Sequence, residues 1–251
     1  MSARGPWQGM LAIARFNWPM YVAALSIALI ALAGLLASSA LVAKVISALA
    51  LVGSAYFVFG SLGVSHLIYD RSDLYRWGWL DRAFQGAKIE RAIFCHSGFD
   101  ETSRELGARL GQTEWKILDH FDETRMTEAS IRRARSLFPP TDGTLSAAYD
   151  HWPAADESAD VVFALLAIHE LRSDAERRGW FGEAHRCLAR GGRVILVEHV
   201  RDIANFLAFG PGFLHFHSRR TWRRAWEPAG FLLADEFRVT PWVRVFVLRA
   251  A

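Results

Sequence analysis

The chain has 251 residues, of which 52% are hydrophobic and 22% charged, with a formal net charge of +3. This length allows one large domain or two small ones, and the apolar content excludes an intrinsically disordered chain. The basic residues are scattered rather than gathered in a stripe with stacking aromatics, so we predict no nucleic-acid partner. Cys95 and Cys187 lie far apart without a Cys-x-x-Cys pair, so we expect a reducing compartment, no disulfide framework and no metal site.

Charged residues are nearly absent from the first 70 positions, where only four occur: Arg4, Arg15, Lys44 and Asp70. The apolar stretches Pro19–Ala43 and Val45–Tyr69 are each long enough to cross the hydrocarbon core of a bilayer. A single helix through both would be far longer than a bilayer is thick, so we predict a transmembrane helical hairpin. Its turn lies at Lys44 or, alternatively, at Ser38 and Ser39.

Basic residues flank both predicted spans on the same side, with Arg4 and Arg15 before the first span and Arg71 and Arg76 after the second. The positive-inside rule then puts both termini and the soluble part in the cytoplasm. Because the arginine bias hints at a GC-rich bacterial genome, the predicted location is the bacterial inner (cytoplasmic) membrane. Aromatic residues near these ends are predicted to form interfacial belts: Trp7, Trp18, Tyr21, Tyr69, Tyr75, Trp77 and Trp79.

The chain thereby divides into a transmembrane hairpin anchor over residues 1–70, a juxtamembrane linker over 71–88 and a further domain over 89–251. In that last domain, apolar runs of strand length alternate with amphipathic stretches. We predict strands at Arg91–Cys95, Trp115–Asp119, Thr144–Ala148, Val161–Ala167, Arg193–His199, Leu232–Val239 and Val243–Leu248. We predict helices at about Glu101–Leu110, Glu128–Leu137, Ala175–Leu188 and Arg219–Ala229.

The pattern of these elements indicates an α/β fold. The hydrophobic runs in the fourth and fifth strands suit strands that are buried on both faces, so we predict a parallel sheet between layers of helices. Only Thr240, Pro241 and Trp242 separate the last two strands. Because so short a connection cannot hold a crossover, the final pair is predicted to be antiparallel.

Four segments then carry a family resemblance. They are WPAADESADVV (Trp152–Val162), LLAIHEL (Leu165–Leu171), FGEAHRCLARGGRVILV (Phe181–Val197) and EPAGF (Glu227–Phe231). Together they resemble the second half of class I S-adenosylmethionine-dependent methyltransferases, and the resemblance spans roughly residues 90–250. It implies a Rossmann-like, seven-stranded methyltransferase sheet with an antiparallel final hairpin. It also implies S-adenosyl-L-methionine as the cofactor, in a membrane-anchored variant of the family.

The first loop of this domain departs from the family, which usually carries an acidic residue in the first strand and then G-x-G-x-G. Here Phe94 stands at the acidic position, and only Gly98 matches a family glycine. His96 and Asp100 replace the outer glycines of this degenerate glycine loop. Because the methionine end of the cofactor is zwitterionic, the resemblance makes His96 and Asp100 candidate partners for its ammonium or carboxylate. Asp100 or Thr102 is also a candidate cap for the helix that follows.

Two further acidic residues are candidates for the nucleoside. Asp119 closes the second strand, 21 residues after Gly98, where a carboxylate can accept hydrogen bonds from both ribose hydroxyls. A turn or a helix cap is the alternative role for Asp119. Asp150 is the one acidic residue near the end of the third strand that can substitute for the usual partner of the adenine amino group.

Candidate catalytic residues lie at the ends of the fourth and fifth strands: His169, Glu170, Glu198 and His199. Methyl transfer needs the acceptor atom opposite the sulfur and, for an oxygen or nitrogen acceptor, a group that takes a proton. We favour His169 and His199 for that role. The alternative for each is a structural histidine with satisfied hydrogen bonds.

A phenylalanine-rich segment, Asn205–Phe216, is predicted to cover an apolar substrate or to enter the membrane interface. The arginines that follow it suit anionic head groups, although a solvated helix face is the alternative. The predicted substrate-binding residues are Phe209, Phe213, His215, His217 and Arg219.

The leading hypothesis is a membrane-anchored methyltransferase that acts on an amphiphilic small molecule, such as a lipid head group or a prenylated quinone-type ring. The alternative is a non-catalytic methyltransferase-fold module that docks partners at the membrane. A nicotinamide-dependent reductase is less favoured, because the chain lacks G-x-G-x-x-G and a wholly parallel sheet. The sequence specifies neither the acceptor atom nor the oligomeric state.

Overall fold

The computed structural model describes residues 4–251, which form a group of N-terminal helices and a sheet domain. The helices are α1 (Gln8–Phe16), α2 (Trp18–Ala37), α3 (Leu41–His66), α4 (Leu80–Phe84), α5 (Ser103–Leu110), α6 (Ala129–Leu137), α7 (Asp174–Cys187), α8 (Ile203–Phe209) and α9 (Arg219–Trp226). The strands are β1 (Arg91–His96), β2 (Glu114–Asp119), β3 (Thr144–Ser146), β4 (Ala159–Leu165), β5 (Leu188–His199), β6 (Phe231–Thr240) and β7 (Val243–Ala250).

The helices α2 and α3 pack against each other as a hairpin, and α3 continues in a π-helical turn, Leu67–Arg71. By length and composition, these two helices are candidate membrane spans. Their outer faces expose large apolar side chains such as Ile30, Leu36 and Phe59. The turn lies at residues 38–40, where the backbone is extended, so the second of the two predicted turn positions is observed and Lys44 lies inside α3.

The first helix, α1, packs both against the base of α3 and against α6 of the sheet domain. Near its N-terminus, the backbone amides of Gly9 and Met10 donate to the carboxylate of Asp70, at 2.7 and 3.0 Å. At its other end, Phe16 packs edge-on against Phe99 and Phe138. Part of the segment predicted as a hairpin anchor therefore covers the domain that follows it.

The sheet has seven strands in the order β3-β2-β1-β4-β5-β7-β6. The pairs among β1 to β5 are parallel, whereas β7 is antiparallel to both β5 and β6. This topology confirms the predicted Rossmann-like sheet with its antiparallel final hairpin. The central strands β1, β4 and β5 are almost wholly buried, which is why their sequences read as continuous apolar runs.

Each face of the sheet has its own core. On one face, α7 and α9 contribute the fully buried side chains of Trp180, Trp222 and Trp226. On the other face, Trp77 and Trp79 are only 5% and 6% exposed. Their predicted place in an interfacial aromatic belt is therefore wrong, because the segment after the hairpin serves as a covering layer for a sheet that must be buried on both sides.

The base of the hairpin meets the carboxyl edge of the parallel strands. Tyr69 Oη is 2.9 Å from Nε2 of His199, the last residue of β5. Further along α3, the hydroxyl of Tyr56 donates to the carbonyl oxygen of Leu207 in α8, at 2.6 Å. The edge at which α/β proteins bind ligands thus lies against the two candidate spans.

Candidate functional site

A cavity of about 340 Å³ lies between the hairpin base and the carboxyl edge of the sheet. Tyr21 and Phe57 line it from the hairpin, and Phe94 and Leu165 line it from β1 and β4. Polar groups collect at one part of its wall, where four side chains converge: Glu128, His169, Glu170 and His215. The cavity is therefore apolar on its hairpin side and charged beside the loops that follow β4 and α8.

His169 is oriented by a buried glutamate. The carboxylate of Glu198, in β5, accepts the Nδ1–H of His169 at 2.8 Å and the backbone amides of Ala167 and His169 at 3.1 and 3.2 Å. Because Nδ1 donates in this arrangement, Nε2 is the ring nitrogen left for another partner. That nitrogen lies 3.8 Å from Oε1 of Glu170. The structure thus brings three predicted catalytic residues, His169, Glu170 and Glu198, into one group.

His215 joins this group from the loop after α8. Its Nε2 is 3.3 Å from Oε1 of Glu170, and its Nδ1 is 3.0 Å from Oε1 of Glu128. Burial alone would lower the pKa of His215, but the hydrogen bonds with Glu128 and Glu170 raise it to about 9. Similarly, burial raises the pKa of Glu170, and the hydrogen bond with His215 outweighs this and lowers it below its ordinary value.

His199 lies behind the cavity wall. Its Nδ1 is 3.1 Å from both the Trp242 carbonyl oxygen and the Asn205 side-chain oxygen, and its ring stacks on Phe216. Burial, reinforced by the nearby His169, lowers the pKa of His199 to about 4. With the Tyr69 hydroxyl on its other nitrogen, His199 connects the hairpin to β5, which is the structural role that the sequence left open.

The residues expected to hold the nucleoside make contacts among themselves. Asp119 accepts hydrogen bonds from the backbone amides of Gly98 and Phe121, at 2.9 and 3.0 Å, and its other oxygen is paired with Arg135 of α6. The Asp119 side chain is only 4% exposed. Gly98 has φ +85°, and a Cβ there would lie 2.7 Å from the ring of Phe121. As packed, this cradle does not fit a ribose, because both oxygens of the Asp119 carboxylate already have partners within the chain and Arg135 is paired with one of them.

His96, also predicted near the cofactor, is buried with its Nδ1 3.5 Å from Asp119. Both of its ring nitrogens lack a hydrogen-bond partner within residues 4–251. Burial lowers the pKa of His96. Asp100 caps α5 by accepting the amides of Thr102 and Ser103, as the capping alternative predicted. Asp150 is exposed on a turn against Gly179 of α7 and does not line the cavity.

The predicted substrate-binding residues divide in two. Phe209 and His215 line the cavity, whereas Phe213 packs against Phe206 outside its wall. His217 is buried beside Arg177 and the Leu171 carbonyl, and burial together with Arg177 lowers its pKa to about 3. Arg219 lies on α9 and pairs with Glu236, on a helix that covers the sheet rather than the cavity.

Two residues at the site escaped the sequence reasoning, namely Glu128 and Arg135. Arg135 lies on α6, the predicted helix that follows β2, and Glu128 is the N-cap residue of that helix. A helix after a parallel strand begins at the carboxyl edge of the sheet, so Glu128 at its start was a recognisable candidate. Arg135 carried no such signal, because its partner Asp119 is 16 positions away.

The comparisons with known proteins agree with this fold. Residues 120–196 match a protein family described as a methyltransferase domain. A SAM-dependent methyltransferase from Aquifex aeolicus is 13% identical with a TM-score of 0.50, over 70% of this chain and 89% of that chain. The PH0226 protein from Pyrococcus horikoshii OT3 is 13% identical with a TM-score of 0.50, over 71% and 89%. No curated protein matches the sequence.

The pyocyanin biosynthetic protein PhzM is also similar, at 13% identity and a TM-score of 0.51 over 76% of this chain and 58% of that chain. At these identities the solved structures show a shared fold. The matched segment lies wholly within the sheet domain, between the end of β2 and β5. The family match and the methyltransferase fold together support a methyltransferase.

Proposed function

We propose that the chain is a membrane-anchored methyltransferase that uses S-adenosylmethionine and acts on an amphiphilic acceptor, either a lipid head group or a prenylated quinone-type ring. The observation that carries this proposal is the cavity, which connects hairpin side chains such as Tyr21 and Phe57 with the polar group around His169. An acceptor with an apolar tail and a polar head matches both ends of such a cavity.

Membrane anchoring is supported by the surface around α8 as well as by the hairpin. Ile203, Phe206 and Leu207 are exposed on α8, beside the point where Tyr56 of α3 binds the Leu207 carbonyl. Exposed apolar side chains next to a candidate span suit the membrane interface. With the flanking arginines, this supports two spans in the bacterial inner membrane, with both termini and the sheet domain in the cytoplasm.

The chain's own residues supply positioning and proton transfer. Glu198 holds the His169 ring through Nδ1, so Nε2 is free to accept a proton from an acceptor hydroxyl. Phe57 of the hairpin, together with Phe16 and Phe94, which also line the cavity, would exclude water from the tail. S-adenosylmethionine would supply the methyl group, and Asp119 could hold its ribose only if Arg135 released the carboxylate.

Labelled S-adenosylmethionine offered to detergent-purified protein with membrane lipid extract tests this function. We expect labelled lipid from the wild type and a loss of about 100-fold or more for His169→Ala. His185→Ala is the matched control, because His185 is exposed on α7 and lies outside the cavity. Absence of labelled product from every lipid and quinone fraction, with folded protein, would overturn the proposal.

A non-catalytic module is the second candidate, and the closed cradle at Asp119 favours it. A protein that never binds the cofactor has no need to keep the Asp119 carboxylate free of Arg135. This alternative expects no cofactor binding at millimolar concentration. It also expects partner binding at the membrane to survive Asp119→Asn in a protein that still folds.

A further inference from the structure

Two histidines and one glutamate at the polar end of the cavity have the spacing of metal ligands. The ligand atoms that His169, Glu170 and His215 offer lie within 4.8 Å of one another. Oε1 of Glu170 is 3.8 Å from His169 Nε2 and 3.3 Å from His215 Nε2. A metal about 2.1 Å from each ligand requires ligand separations of roughly 3 to 4 Å, so a small contraction suffices.

Each of these histidines has a second carboxylate on its other ring nitrogen. Nδ1 of His169 is 2.8 Å from Glu198, and Nδ1 of His215 is 3.0 Å from Glu128. Histidines that bind metals almost always donate their second ring N–H to a carboxylate, a carbonyl or water, which leaves the other nitrogen for the metal. Two such pairs, from different segments of the chain, direct their Nε2 atoms toward the same Glu170 oxygen.

The loops that carry the two histidines are fixed to each other. One Nη1 atom of Arg172 donates to the carbonyl oxygens of both His169 and His215, at 3.1 and 2.6 Å. The same atom is 3.4 Å from His215 Nδ1, so its charge is part of the site. Three carboxylates, those of Glu128, Glu170 and Glu198, lie 2.8 to 3.8 Å from the ring nitrogens of the two histidines and supply negative charge that a cation would offset.

We propose that His169, Glu170 and His215 bind a divalent first-row transition metal such as zinc. Two histidines and a glutamate, with a further position open, are a ligand set of catalytic zinc sites. All three side chains line the cavity, so the open position faces the space for the acceptor. Resting on the function proposed above, we infer that this position takes a hydroxyl or phenol oxygen of the acceptor. A metal held by these side chains would stabilise negative charge on that oxygen, and His169 would then serve as a ligand rather than as the proton acceptor.

Metal binding alone tests the site without reference to methyl transfer. The full chain, purified in detergent without a polyhistidine tag and treated with chelator, is titrated with zinc chloride by calorimetry and with cobalt chloride by visible absorption. We expect one equivalent per chain and a cobalt spectrum typical of nitrogen and oxygen ligands. His169→Ala and His215→Ala should each weaken binding by about 100-fold or more, and Glu198→Gln by roughly 10- to 100-fold.

His185→Ala is the control for histidine loss and should bind like the wild type. If an alanine variant fails to fold, Glu170→Gln keeps the size of the side chain and tests the third ligand. The absence of binding up to millimolar metal, or equal affinity in the wild type and the folded His169 and His215 variants, would show an ion-pair cluster only and overturn the proposal. A positive titration with no methylated lipid would leave the metal site standing and refute the proposed function alone.

Discussion

Replacing Arg135 by alanine should open the cradle at Asp119 for the cofactor. In the structure the Arg135 guanidinium is paired with Asp119, and the two side chains are 29% and 4% exposed. A partly buried hydrogen bond between charged groups contributes about 1.5 to 3 kcal/mol. A ribose can bind the Asp119 carboxylate only after Arg135 has released it, so cofactor binding costs the free energy of that interaction.

Removing the competing guanidinium should therefore tighten cofactor binding by roughly 10- to 100-fold, since about 1.4 kcal/mol corresponds to a factor of ten. Calorimetric titration of S-adenosylmethionine into the detergent-purified variant and wild type measures the ratio of the two dissociation constants. Arg132→Ala is the matched control, because Arg132 is on the same helix but is exposed and bonded to a backbone carbonyl.

The reasoning is refuted if the folded Arg135→Ala variant binds the cofactor no more tightly than the wild type. A gain of the same size in Arg132→Ala would equally refute it, because the effect would then come from net charge. The variant should also lose stability, since a buried carboxylate loses one of its three partners. Thermal unfolding of the variant measures that loss.

Three further changes have effects that follow from the structure. Burial lowers the pKa of His120 to about 4 in the folded chain, where Trp180 donates its indole N–H to the ring. As the pH falls, the unfolded chain therefore takes up a proton at this histidine before the folded chain does. Between pH 6.5 and 4, His120 should therefore reduce the free energy of unfolding by about 1.4 kcal/mol per pH unit, measured by denaturant titration. Gly98→Ala should cost about 2 to 4 kcal/mol, because the new Cβ meets the Phe121 ring in a left-handed backbone. Asp70→Asn should weaken the cap of α1 by about 1 kcal/mol and speed hydrogen exchange in that helix.

Each of these changes has its own comparison. The pH dependence of unfolding should flatten in His120→Gln, and an unchanged slope would contradict the assignment. Gly182→Ala is the control for Gly98, because nothing lies within 4 Å of a Cβ at that helical position, and an equal loss at both would exclude the steric argument. Asp142→Asn, in an exposed loop, should leave exchange in α1 unchanged.

The sequence alone determined the sheet and most of its boundaries. The continuous apolar runs of β4 and β5 are those that a strand buried on both faces requires, and the three-residue link before β7 is too short for a crossover between parallel strands. Length and the absence of charge likewise predicted two long apolar helices. These local patterns predict structure because the polarity of each residue reflects whether its face of the strand or helix is buried or exposed.

The partners of individual side chains were decided only by the tertiary structure. The candidate metal site and its supporting glutamates come from the N-cap of α6, from β5 and from the loops after β4 and α8. No sequence spacing relates Glu128 to His215. Similarly, Asp119 stands where the strand pattern predicted, yet its carboxylate is paired with an arginine whose position depends on how α6 packs. Trp77 and Trp79 are aromatic residues beside a candidate span, and they are buried in the core on one face of the sheet. Burial and charge pairing depend on which distant segments meet, and that is a property of the assembled fold.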